Sequence, residues 1–247
     1  MTNIDQAKEN VRDQVWRQLE REGAVPEGSY GKIPGFYGAE ATADRLAELD
    51  EWKRARTIKA NPDWAQLPIR TRALRDGKLL YMAVPRMASL RPFFLLDPEA
   101  LELPVEQAAE KRGAAQAARR VGVEDMNPID VVICGSVAVN RSGARIGKGA
   151  GYSDLEVALL IEAGLVTEET VIVAPVHQLQ VIDGEIPETE HDFRVDLIVT
   201  PDEVIECPNP RRPQGLVWSD LAPEKIEAIP VLAAQVRARQ GTRSFRR

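Results

Sequence analysis

Val131-Val132-Ile133-Cys134-Gly135-Ser136-Val137-Ala138-Val139 leads, after a polar turn at 140–143, into Arg145-Ile146-Gly147-Lys148-Gly149-Ala150-Gly151-Tyr152-Ser153-Asp154 and then Leu155-Glu156-Val157-Ala158-Leu159-Leu160-Ile161-Glu162. The first run is apolar and rich in β-branched residues, which predicts a buried strand. The last has apolar positions at roughly helical spacing, and a glycine-rich basic loop lies between them. Three glycines at alternate positions remove the Cβ atoms that would hold a phosphate away from backbone N–H groups. Arg145 and Lys148 add positive charge, and the next helix adds the positive end of its dipole. Asp154 falls where that helix begins, a place for an N-cap or for an oxygen ligand to a hard cation such as Mg²⁺. The loop is neither a P-loop nor a G-x-G-x-x-G fingerprint. It reads as a site for a phosphorylated ligand, a nucleotide with its metal; the plain alternative is a tight strand-to-helix connection with solvated cations.

Outward from this unit the pattern repeats. Val171-Ile172-Val173-Ala174-Pro175-Val176 is a continuous apolar run, as expected of a parallel strand covered on both faces. His177 follows at its C-terminal end, where open α/β sheets place ligands, and is weighed as structural or catalytic. Strands are also expected at 54–60, 79–85 and 93–96, and helices at 5–22, 38–51 and 66–75. Asp5 is the expected N-cap of the first helix and Gly23 its stop, while Ala41, Leu46 and Leu49 are the expected inward residues of the second. Residues 23–37 form a loop long enough for a lid, and 106–122 an exposed helix or connector. Alternating strands and helices predict a three-layer α/β domain with a mainly parallel sheet.

Composition sets limits. The chain has 247 residues, 44% hydrophobic and 28% charged, enough for a sizeable core. A formal net charge of −6 argues against a general nucleic-acid coat. Cys134 and Cys207 form no C-x-x-C pair, no apolar signal core follows Met1, and no run is long enough for a membrane span. A cytoplasmic protein without nucleic-acid or membrane partners is expected, as a monomer or homodimer. One domain over 1–247 is expected, with 208–247 as a C-terminal extension packing on it. That extension is expected to end in a frayed basic tail of Arg237, Arg239, Arg243, Arg246 and Arg247.

Two further stretches carry candidate chemistry. In the first helix Lys8 and Arg12 are four apart and share a face, either a solvated basic face or part of a site. In Ile186-Pro187-Glu188-Thr189-Glu190-His191-Asp192-Phe193-Arg194-Val195-Asp196 an acidic cluster runs into a strand. With two histidines in the chain a His-rich zinc site is disfavoured, and carboxylates suit Mg²⁺ better.

Arg145-x-Gly147-Lys148-Gly149-x-Gly151-Tyr152-x-Asp154 resembles the signature of the 5-formyltetrahydrofolate cyclo-ligase family, whose usual form R-x-G-x-G-x-G-Y-Y-D has a second tyrosine where Ser153 stands. The resemblance extends over most of the chain. Lys8-x-x-x-Arg12 matches the family's opening K-x-x-x-R, and Pro68-Ile69-Arg70, Gly77-Lys78 and Val84-Pro85-Arg86 match its frame. Pro187 to Asp196 matches P-x-x-x-x-D-x-x-V-D. A second departure is Asp63, which takes the place of a folate-contacting glutamate and stands beside Trp64. Arg212-Pro213-x-Gly215-Leu216-x-Trp218 is similar to the subgroup of methenyltetrahydrofolate synthetase domain-containing proteins; the RNA-recognition motif found in some of its members has no counterpart here.

The resemblance implies the architecture of the cyclo-ligase and sugar-phosphate isomerase superfamily. It also implies ATP- and Mg²⁺-dependent conversion of 5-formyltetrahydrofolate to 5,10-methenyltetrahydrofolate, with ADP and phosphate released. The formyl oxygen takes the γ-phosphoryl group, N10 attacks the activated carbon, and phosphate leaves as the ring closes. In this frame Arg145 and Lys148 serve the transfer. Lys8, Arg12, Gly147, Gly149, Gly151 and Tyr152 hold the nucleotide, Asp63 and Tyr152 face the reduced folate, and Asp154 and Asp192 hold Mg²⁺. Ser153 and Asp63 keep two alternatives open: a non-catalytic or regulatory nucleotide-binding protein, and an ATP-dependent enzyme of this fold with another substrate.

Overall fold

Side chains alternate across a strand, so a run that is apolar throughout must be covered on both faces. In the computed structural model, which describes residues 3–208 and 210–244, Val131 and Ile133 pack on one side of the sheet and Val132 and Cys134 on the other. The first side is covered by α2 (Ala39–Ala47), α3 (Asp50–Arg54), α4 (Leu67–Arg75), α5 (Val105–Ala108) and α6 (Lys111–Ala117). The second is covered by α7 (Tyr152–Glu162), whose residues Leu155 to Leu160 are all buried. Leu216, Ile229 and Leu232 join that second core, from the segment carrying α8 (Pro223–Ala228) and α9 (Pro230–Ser244). These are the three layers expected of the α/β class.

The main sheet has the order β11-β10-β8-β5-β1-β2-β3-β4, where β1 is Thr57–Ala60, β2 Leu79–Ala83, β3 Phe93–Leu96, β4 Arg119–Val121, β5 Val131–Ile133, β8 Val171–Pro175, β10 Leu197–Val199 and β11 Val204–Glu206. The five strands from β10 to β2 are parallel, and antiparallel strands cap both edges. From β1 the chain proceeds to β2 on one side, and from β5 to β8 on the other. The switch point therefore lies between β1 and β5, and a crevice opens beyond their C-terminal ends.

A smaller sheet of β7 (Arg145–Ile146), β6 (Ala138–Asn140) and β9 (Val181–Ile182) holds a third core with α1 (Asn3–Arg21). On α1 the residues Lys8, Arg12, Val15, Trp16 and Leu19 form one buried stripe. Its apolar end docks on the small sheet, and its cationic end overhangs the glycine loop.

Several expectations are corrected here. The run 131–139 is two strands in two sheets, divided at 134–137. Helix α1 begins ahead of Asp5, which lies in its first turn rather than at its cap. The 38–51 helix breaks after Ala47, and Ala41 faces outward. The connector at 106–122 contains edge strand β4, whose Arg120 lies 5.6 Å over the Phe94 ring. The basic tail is helical as far as Ser244, and Arg239 sits 4.4 Å over Trp218; Arg246 and Arg247 lie outside the described residues. Among the described residues no helix is long and apolar enough to cross a membrane.

Candidate functional site

The crevice at the switch point is a cleft of about 750 Å³, and all eleven residues singled out for catalysis, nucleotide, folate or metal line it. Its floor comes from the strand ends. Asn61 follows β1 and Gly135 follows β5, and the Gly135 N–H donates to Asn61 Oδ1 at 3.3 Å. Strand alternation sends Ile58 and Ala60 to the α2–α4 side and Lys59 to the α7 side. There its Nζ meets Glu156 Oε2 at 2.6 Å, with both side chains buried. Asn61 Nδ2 donates to the same oxygen at 3.0 Å, and Ser153 Oγ donates to Asn61 Oδ1 at 3.2 Å. The residue standing in place of the family's second tyrosine is thus tied into the floor.

The glycine loop forms the next wall. Gly149 and Gly151 have φ of +95° and +67°, a region that side-chain-bearing residues rarely adopt. Gly147 is small for another reason: a Cβ there would meet Arg145 Nη2 at 3.0 Å. Gly151, in the left-handed conformation, precedes α7 and leaves Asp154 in the first turn, so Asp154 is not the N-cap. Instead Arg145 Nη1 donates to Asp154 Oδ1 at 2.8 Å. Arg145 is 2% exposed and its Cζ lies 4.4 Å over the Phe193 ring, yet its Nε and Nη2 have no hydrogen-bond partner among the described residues. Burial opposes its charge, but Asp154 foremost, and Asp192 as well, outweigh burial and leave the guanidinium pKa raised.

The cations of α1 close a third side. Lys8 and Arg12 are each 9% exposed, so they are not a solvated face. Lys8 Nζ donates to Asp192 Oδ2 at 2.5 Å, and Arg12 Nε donates to the Gly147 carbonyl at 2.7 Å. Burial raises the Asp192 pKa, but hydrogen bonds from Lys8 and from Thr189 prevail and hold it below the usual carboxylate range. Across the cleft Lys148 lies 3.6 Å from Asp63 Oδ1. Trp64 is 75% exposed and lies off the lining, so the indole beside Asp63 does not narrow the pocket.

Among the described residues no three His, Cys, Asp or Glu side chains converge as a metal cage. Mg²⁺ carried by a nucleotide needs only one or two carboxylates, with phosphate and water completing its shell. Asp154 and Asp192 fit that donor set, each already beside a cation. His177 stands apart from the cleft; its Nδ1 accepts from the Leu179 N–H and caps a short turn.

Sequence reasoning missed the floor of Lys59, Asn61 and Glu156, because the pair spans 97 residues. It also missed Arg86 as a lining residue; its φ of 58° marks a constrained backbone at the site. The most local signal available was a lysine and an asparagine bracketing the end of an otherwise apolar strand.

A profile of the 5-formyltetrahydrofolate cyclo-ligase family matches residues 4–201. The methenyltetrahydrofolate synthase domain-containing protein of Bos taurus is 36% identical over 234 residues, 92% of this chain and 61% of the relative. That of Homo sapiens is 34% identical over 242 residues, 95% of this chain and 62% of the relative. The chain therefore spans about three fifths of the length of these curated relatives. The solved structure of Aquifex aeolicus 5,10-methenyltetrahydrofolate synthetase superposes with a TM-score of 0.53 at 19% identity, over 83% of this chain and 94% of that one, a likeness of fold.

Proposed function

The chain belongs to the 5-formyltetrahydrofolate cyclo-ligase family, and from that membership we propose that it converts 5-formyltetrahydrofolate to 5,10-methenyltetrahydrofolate with ATP and Mg²⁺, releasing ADP and phosphate. The observation that carries the reading is the buried Arg145, with two nitrogens lacking hydrogen-bond partners among the described residues, in a cleft walled by the glycine loop and by Lys8 and Arg12. A buried, incompletely satisfied guanidinium is a strong donor to phosphate oxygens, because the cost of its desolvation is already met by the fold. Arg145 and Lys148 neutralise charge on the transferring group, while Gly147, Gly149 and Gly151 let backbone N–H groups approach the phosphates. Lys8 and Arg12 hold the nucleotide from the α1 side, and Asp63 and Tyr152 face the folate. Asp154 and Asp192 would hold Mg²⁺, which when bound supplies further charge neutralisation for the phosphates.

The test is formation of 5,10-methenyltetrahydrofolate, followed by its near-ultraviolet absorbance, with and without Mg-ATP. Turnover that requires both nucleotide and metal supports the reading. In Asp154→Asn turnover is expected to fall by about 100-fold or more. The amide oxygen still accepts from Arg145, so the fold persists; near-normal turnover refutes the assignment. Asp63 already faces Lys148, and Ser153 is engaged with Asn61, which favours as second reading a nucleotide-binding protein with another or no substrate. Mg-ATP binding without turnover selects that reading.

A further inference from the structure

The family profile ends at residue 201, yet the cleft does not. Leu216, Val217, Asp220, Leu221 and Lys225 line its remaining side. This segment is fastened in place by two arginines. Arg211 Nη2 donates to the Asp192 and Thr189 carbonyls at 3.1 and 3.0 Å, and Arg212 pairs with Asp196. Leu216, at 8% exposure, packs under α7. Beyond it, Ile229 and Leu232 are fully buried.

From this wall Lys225 reaches the glycine loop. Its Nζ donates to the Ala150 carbonyl at 2.5 Å and lies 4.1 Å over the Tyr152 ring. Lys8, Arg12, Arg145 and Lys148 each have a carboxylate within 4 Å, respectively Asp192, Glu9, Asp154 and Asp63. Lys225 has none among the described residues. A half-buried ammonium that faces a cleft without a counter-anion is stabilised by any anion bound there. Burial, opposed by Asp154 at longer range, puts its pKa below the ordinary lysine value.

We infer that the segment 211–228 is a wall of the binding cleft and that its Lys225 binds the phosphate chain of the nucleotide, as a further cation supplied from outside the family-matched region. The inference rests on the nucleotide reading of the cleft. It gives Lys225 a charge-specific role, distinct from its hydrogen bond to Ala150, which any neutral donor would preserve.

The experiment is calorimetric titration of the full chain with Mg-ATP, comparing the unaltered protein with Lys225→Gln and Lys225→Arg. Glutamine keeps a donor for Ala150 but removes the charge, and arginine keeps both. Lys225→Gln is expected to weaken binding about tenfold or more, with a shallower dependence on salt, and Lys225→Arg to stay within about threefold. Unchanged affinity in Lys225→Gln, or an equal loss in both variants, overturns the inference while leaving the proposed function standing. Absence of Mg-ATP binding by the unaltered chain overturns both.

Discussion

Lys59→Met and Glu156→Leu, made singly and together, test whether the floor of the cleft is an ion pair that neither partner can leave. Lys59 is fully buried in central strand β1, Glu156 is 3% exposed on α7, and their charged atoms are 2.6 Å apart. At that distance and an effective dielectric of 20 the attraction is about 6 kcal/mol, against several kcal/mol of desolvation for each ion. The pair is therefore close to balance as a whole, but either partner alone is a stranded charge. Each single variant is expected to lose about 3–5 kcal/mol of stability. The two losses differ in a direction the hydrogen bonds dictate. In Lys59→Met the carboxylate keeps the 3.0 Å bond from Asn61, whereas in Glu156→Leu the ammonium loses the one side-chain partner it has among the described residues. Glu156→Leu is thus the more damaging change. The double variant replaces both charges by apolar groups and is expected to approach, or exceed, the parent stability. Denaturant titration of the four proteins yields the coupling energy. Single losses below about 1 kcal/mol, or a double variant equal to the sum of the singles within about 0.5 kcal/mol, refute the reasoning.

Two other expectations follow from burial and charge. Because the folded pKa of Asp192 is lowered, its pairing with Lys8 contributes stability that is complete above the unfolded value near ~3.9 and is lost as pH falls through the folded pKa. Asp192→Asn is expected to cost about 1.5–3 kcal/mol at neutral pH. Denaturation curves should show that difference shrinking below about pH 4, and a difference that stays constant down to pH 2 contradicts it. Cys134 and Cys207 are both free and buried. Burial raises the Cys134 pKa and pushes that of Cys207 up to about 11, so the native protein should titrate no thiols with an aromatic disulfide at pH 8 while the denatured chain titrates two. Rapid native reaction at either thiol contradicts the packing described.

The elements that the sequence foretold best are those whose signal is local. The run 171–176 and the strand Phe93–Leu96 are apolar enough to require cover on both faces, and they lie where expected. The run 131–139 was legible as buried but not as two strands. A residue in the main sheet and one in the small sheet bury the same kind of surface, and only the pause at Gly135 and Ser136 hints at the crossing. Edge strand β4 was hidden because Arg119 and Arg120 are exposed and polar, and it owes its existence to pairing with β3. The glycine loop was legible as a loop, but not the tight approach of Arg145, whose Nη2 would lie 3.0 Å from a Cβ added at Gly147. Position 225 carries no local pattern at all. Its proposed role depends on a wall that long-range contacts assemble, among them those of Arg211 and Arg212 with residues 188–196.

The charge pattern of the cleft bears on why metal and nucleotide would enter together. Four cations there already have carboxylate partners, so an anionic ligand arriving alone would compete with Asp192, Asp154, Glu9 and Asp63 for them. Free ATP would bring like charge toward two of those carboxylates that line the cleft beside Arg145 and Lys8. On the proposed reading Mg-ATP would instead bring both signs: phosphate oxygens for Arg145, Lys148, Lys8 and Arg12, and a cation for Asp154 and Asp192. The Arg145–Asp154 and Lys8–Asp192 pairs would then be exchanged for contacts of the same sign pattern rather than broken, whereas Glu9 and Asp63 would gain no cation in return. On that reading Asp154 and Asp192 would make the cleft select the metal complex over the bare nucleotide, and Arg145 and Lys8 hold those two carboxylates in place.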